Sequence, residues 1–174
     1  MNKFFIFILL LAGALSTHAQ QADIFQAART DDVKTLKAYV DGNNNIDTVN
    51  NAGHSLLILA VYSNNLTAVN YLISQKANLD LMDRSGNTAL MGASFKGNVT
   101  LTELLLRSKA NPNILNYNQA NALFFAATFG HDAIVELLLK YNVNKNQMDK
   151  FGKTALDYAT NQGNDKIVTL LAAK

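Results

Sequence analysis

The chain has 174 residues, 49% of them hydrophobic, with 15 basic and 13 acidic side chains and a formal charge of +2. So small a charge gives nucleic acid no electrostatic footprint to hold, which excludes that class of partner. With no cysteine there is no disulfide, no thiol catalysis and no thiolate metal site, so the fold rests on packing alone. At the start of the chain Lys3 precedes an apolar run from Phe4 to Leu15, followed by Ser16-Thr17-His18-Ala19 with small residues where a signal peptidase reads. The run is 12 residues long, against the ~20 that a membrane-spanning helix needs. Residues 1–19 therefore read as a cleaved secretory signal, and residues 20–174 as one exported domain, periplasmic or extracellular, with no membrane insertion after cleavage.

Beyond the signal, Leu57, Leu90, Leu123 and Leu156 recur every 33 residues, and Ile24 stands one period earlier. An alanine follows each by three: Ala27, Ala60, Ala93, Ala126 and Ala159. Self-similarity at a fixed period marks a stacked array, here of about five units at 20–49, 50–82, 83–115, 116–148 and 149–174. The first unit opens directly on its helix at Ala22-Asp23-Ile24-Phe25 and serves as an N-terminal cap. Each later unit reads as a tight hairpin followed by two antiparallel helices; in the fourth these run Asn121–Phe129 and Asp132–Tyr141. There Leu123 and Ala126 share one face of the first helix, while Ile134, Val135, Leu137 and Leu138 give the second an apolar face. The last unit stops at Leu170-Leu171-Ala172, and Asn161, Gln162 and Lys166 give it the polar exterior of a C-terminal cap. Asparagine crowds the connections, from Asn43-Asn44-Asn45 to Asn142, Asn144 and Asn146, because it tolerates left-handed backbone and caps its own turn.

The words inside the repeat carry a resemblance. Gly86-Asn87-Thr88-Ala89-Leu90-Met91-Gly92-Ala93 is followed by Gly97, Thr102-Glu103-Leu104-Leu105-Leu106 and Lys109-Ala110-Asn111-Pro112-Asn113. The fourth copy adds Phe129-Gly130-His131-Asp132, and the fifth Gly152-Lys153-Thr154-Ala155-Leu156. This resembles the ankyrin pattern of glycine, Thr-Pro-Leu-His, alanine, glycine, paired leucines and a Gly-Ala-Asp-x-Asn loop, over everything after the signal. The resemblance implies an all-α repeat solenoid of hairpin-plus-two-helix units that binds a protein partner and has no catalysis or cofactor of its own. The family's proline is replaced by Leu56, Ala89, Ala122 and Ala155, and its histidine by Ile58, Met91, Phe124 and Asp157. Without the hydrogen bonds of that histidine the stack is expected to lean on apolar contact and to be looser. Gln119 and Asn121 stand where the fourth hairpin should have glycine and threonine, which predicts a distorted or ligand-specialised hairpin.

Little in the chain supports catalysis. His54 falls at an exposed hairpin-to-helix position, and His131 on the family's own Gly-His pair, a structural place. No nucleophile elbow, phosphate loop or paired-histidine metal helix is present. Asp41, Asn43 and Asn45 alternate like the start of a calcium loop, but Ile46 and Ala52 occupy its glycine and glutamate positions. Asn65-Leu66-Thr67 and Asn98-Val99-Thr100 match glycosylation sequons, yet both asparagines fall where a second helix begins and a capping side chain is useful.

Recognition is what remains. Carried over by position, the hairpin tips offer Arg84, Tyr117, Lys150 and Phe151, and the first helices end on Tyr62, Phe95, Lys96 and Phe129. The aromatics among them are expected to line one concave strip, with packing between units as the competing explanation for Phe95 and Phe129. Acidic residues (Asp23, Asp31, Asp32, Asp41, Asp47) crowd the first unit and basic ones (Lys140, Lys145, Lys150, Lys153) the last hairpin. That gradient suggests a basic end that meets an acidic partner or the acidic end of another copy, the latter giving weak end-to-end self-association as a structural alternative. The small exported format is also similar to bacterial envelope ankyrin proteins, some of which support a catalase.

Overall fold

The structure, a computed structural model, describes residues 24–173; the expected signal segment lies outside them. Helices start where a short polar side chain takes up a free backbone N–H. Ser55, Thr88 and Thr154 accept from the amides of Ile58 (3.2 Å), Met91 (3.4 Å) and Asp157 (3.3 Å), and Asp157 returns the favour in a capping box. They stop where the chain turns left-handed: at Asp31, Asn64, Gly97, Gly130 and Gly163 after first helices, and at Asn43, Lys76, Lys109 and Asn142 after second helices.

Ten helices result among the described residues: α1 (24–29), α2 (Val33–Asp41), α3 (Leu56–Tyr62), α4 (Leu66–Ser74), α5 (Ala89–Lys96), α6 (Val99–Arg107), α7 (Ala122–Thr128), α8 (Asp132–Lys140), α9 (Ala155–Gln162) and α10 (Asp165–Ala172). First helices stack on first helices through α3, α5, α7 and α9, and each packs antiparallel on its own second helix. The second helices form an outer layer. The only β-pairing among described residues is an isolated bridge, Val49 to Ser55. The architecture is the all-α repeat solenoid that the family resemblance implied.

The recurring leucines and alanines are its core. Leu57, Leu90 and Leu123 are buried, as are Ala27, Ala60, Ala93, Ala126 and Ala159, whose small size lets neighbouring helices approach. Each buried leucine contributes about 1.5–3 kcal/mol relative to exposure. Leu156, with no unit beyond it among described residues, is half-buried. Ile58, Met91 and Phe124, which replace the family histidine, are buried as apolar contacts.

Polar cross-links run along the loops instead. Asp47, Asp80 and Asn113 accept the amides of Asn78 (2.8 Å), Asn111 (3.0 Å) and Asn144 (2.6 Å), each from the following unit. Asn78, Asn111 and Asn144 in turn fold their own loops by accepting the amide two residues on. Asn45 sits at the head of this ladder, which accounts structurally for the alternation that resembled a calcium loop. Asn98 caps α6 as expected (2.8 Å to the Leu101 amide). Asn65 does not cap α4: its amide donates to the carbonyl of Ala28 in the preceding unit at 2.9 Å. Asn164 repeats this bond to Ala127 at 3.1 Å, so the position is also a clamp between units.

Candidate protein-binding face

Each hairpin is organised by one Asx residue: Asn50, Asp83, Asn116 or Asp149. Its Oδ1 accepts the amides two and four residues on, at 2.8–3.1 Å in all four hairpins. The fourth hairpin is not distorted. Gln119 takes the left-handed conformation (φ 61°) that glycine takes in the others, and donates to Asn116 at 2.8 Å as Gly86 donates to Asp83 at 2.9 Å. Asn121 is fully buried, accepts the Leu123 amide and donates to the Asn144 carbonyl, so it replaces the missing threonine cap.

Hairpins join tip to tip. The amides of Arg84, Tyr117 and Lys150 donate to the carbonyls of Ala52 (3.4 Å), Ser85 (3.2 Å) and Asn118 (3.0 Å) of the preceding hairpin. The side chains of these three residues remain exposed, with Tyr117 and Phe151 each at 69%. The Lys150 ammonium reaches Asn118 Oδ1 at 2.5 Å and lies 5.1 Å from the Phe151 ring centre.

At the first-helix ends, Phe95 and Phe129 are 40% and 52% exposed and meet edge to face at 4.8 Å. Phe125 meets Phe95 at 6.5 Å, and the His131 ring stacks beside Phe129. His131 holds the Phe95 carbonyl at 3.2 Å, a bond between units consistent with a structural place. Lys96 is exposed next to this cluster. Tyr62 differs from the rest: it is half-buried, and a Cβ on Gly92 would come within 3.2 Å of its ring. Burial, then the Asp83 charge, raises the Tyr62 phenol above its ordinary value. His54 is half-buried rather than exposed. Its ring lies 6.1 Å from Tyr62 and its Nε2 3.7 Å from Asp83 of the next hairpin, with Nδ1 buried and unpartnered.

The structure adds a row that the sequence reading passed over. Val49, Met82, Leu115 and Met148 stand one residue before each Asx, 33 apart. Val49, Met82 and Met148 are exposed and Leu115 half-exposed, while the Asx side chains of the last three hairpins are buried behind them. The periodic signal was present, but only exposure separates these residues from core. Several charges of the expected end-to-end gradient are meanwhile engaged within the stack. Asp31 accepts the Ala68 amide at 2.6 Å, Asp32 caps α2, and Lys145 reaches the Leu171 carbonyl at 3.1 Å.

Among the described residues no group of three or more His, Cys, Asp or Glu is placed to hold a metal, and no helix is long and apolar enough to cross a membrane. The arrangement defines a helical repeat solenoid with an apolar row in register on its hairpins and exposed aromatic side chains besides. The family model described as "Ankyrin repeats (3 copies)" matches residues 24–116 and again 90–174, and the chain belongs to the ankyrin-repeat family. No curated protein matches it. Ankyrin repeats are generally protein–protein interaction modules and typically non-catalytic.

Proposed function

We propose that this protein is exported and acts as a non-catalytic binding module, holding a partner protein against its hairpins and first-helix ends. One observation carries the reading: Val49, Met82 and Met148 stay exposed at the same position of three of the four hairpins, with Tyr117, Phe151, Phe95 and Phe129 exposed as well. Exposed aromatics and methionines are enriched where proteins meet, and stacked units hold them rigidly, so little ordering entropy is lost on binding. Lys3, the apolar run Phe4–Leu15 and Ala19 support export.

Affinity capture from the exported fraction tests the binding reading. The wild type is compared with a Tyr117→Ser/Phe129→Ser/Phe151→Ser variant of unchanged circular dichroism. A protein retained by the first and lost by the second supports the proposal; equal capture by both contradicts it. Mass spectrometry of the chain from its native compartment tests export, which requires an N-terminus at Gln20.

A further inference from the structure

We infer that the partner segment seated on this face is an extended polypeptide that interleaves acidic side chains with apolar ones. The inference rests on the protein-binding reading and specifies its chemistry. Charge in the folded chain is sorted between faces more clearly than along the axis. Among described residues, the exposed charges of the first helices and hairpins are all cationic: Arg29, Arg84, Lys96, Lys150 and Lys153. Arg29 stands one period before Tyr62, so its place on α1 corresponds to that of Tyr62 and Phe95 on their helices.

The carboxylates on the same side are withdrawn. Asp83 and Asp149 are 7% exposed, and each spends Oδ1 on two backbone amides of its own hairpin. Asp149 Oδ2 additionally accepts the Tyr158 hydroxyl at 2.6 Å. Asp157 is half-buried in the α9 capping box. The exposed carboxylates Asp32, Asp41, Glu103, Glu136 and Asp165 lie on the second helices or at their ends, intermixed with lysines and arginines. One side of the solenoid thus presents cations alone, and the other both signs.

The two kinds of anchor alternate. Each of the last three hairpins gives one apolar residue (Met82, Leu115, Met148) directly before its buried Asx, and one tip residue (Arg84, Tyr117, Lys150) directly after it. A segment running across the hairpins therefore meets apolar, cationic and aromatic side chains in turn. Acidic groups gain electrostatic complementarity at the tips, and the apolar ones desolvate the row. A basic or uniformly apolar segment gains only half of this.

Selection of a random 16-residue peptide library displayed on phage tests the inference, using the purified chain from the fraction in which it accumulates. The expected binders are enriched in Asp and Glu together with Phe, Leu or Met. Charge reversal by Arg84→Glu/Lys150→Glu/Lys153→Glu is expected to weaken them roughly ten- to hundredfold, the loss of three exposed ion pairs. Met82→Ser/Met148→Ser weakens them as well, and circular dichroism checks both variants for unchanged folding. Neutral or basic binders that depend on Met82 and Met148 but ignore the charge reversal overturn the inference and leave the binding reading standing. Binders indifferent to both variants, or tighter retention of a labelled single-stranded oligonucleotide, overturn both.

Discussion

The left-handed hairpin position allows a prediction whose size differs from one unit to the next. Gly86 has φ +80°, and a Cβ there would stand 2.7 Å from the Tyr117 amide nitrogen and 3.0 Å from Asn116 Cα; Gly152 has φ +70° with nothing within 4 Å. Forcing an L-residue into this conformation costs about 1–2 kcal/mol. Alanine offsets about 0.4–1 kcal/mol of that by restricting the unfolded chain. Gly152→Ala is therefore expected to destabilise by about 0.5–1 kcal/mol. Gly86→Ala must also push the hairpins apart, straining the 3.2 Å bond from Tyr117 to Ser85. Losing that bond adds about 0.5–1.5 kcal/mol, for a total of about 1–2.5 kcal/mol. Gln119→Gly reverses the first effect and is expected to stabilise by about 0.5–1 kcal/mol. Urea unfolding followed by helical circular dichroism resolves the series, and about 1 kcal/mol corresponds to a Tm shift of roughly 2–4 °C in a domain of this size. If Gly152→Ala is as damaging as Gly86→Ala, or Gln119→Gly destabilises, the hairpin ladder does not have the role assigned to it.

Three further outcomes follow from the packing. Leu123 is fully buried, so Leu123→Ala is expected to cost about 2–5 kcal/mol, and an unchanged melting curve would contradict the register. Asn113 accepts the Asn144 amide and donates to the Asn142 carbonyl; Asn113→Ala is expected to cost about 1–2 kcal/mol and to raise amide exchange at Asn144. Burial pushes the Asp149 carboxyl up, but the Tyr158 hydroxyl, the amides of Lys153 and Phe151 and the Lys150 charge outweigh it and hold it below the ordinary carboxylate value. A depressed folded pKa gives stability that is present above the unfolded value of about 3.9 and lost as pH falls through the folded one. Asp149→Asn keeps the Oδ1 acceptor, as Asn50 and Asn116 do, so its stability deficit at neutral pH should shrink on acidification; a constant deficit contradicts the assignment.

The fold was legible because the core repeats. Leu57, Leu90 and Leu123 must meet the same pocket in each unit, and Ala60, Ala93 and Ala126 the same helix crossing, so burial writes itself into the sequence as a period. The helix limits of the fourth unit came within a residue at each end. What stayed hidden depends on contacts between units. Gln119 looks like a broken hairpin in one dimension, but Asn116 and the neighbouring tips hold it in the shape of the others. His54 reads as a surface residue until the next hairpin brings Asp83 beside it. Asn65 has the sequence of a helix cap and spends its amide on the preceding unit. The candidate face was half legible: its aromatics stood out by type, whereas Met82 and Met148 have the look of core residues and only the fold places them outside.

A partner is expected to meet the hairpin face and not the outer helices. Site-specific photo-crosslinking in the native compartment tests it most directly. A benzophenone side chain replaces Tyr117, Phe129 or Phe151 on one side, or Glu103 or Lys140 on the other. A discrete adduct of one partner is expected from the first three positions and none from the last two. An adduct formed only from the outer helices would contradict it.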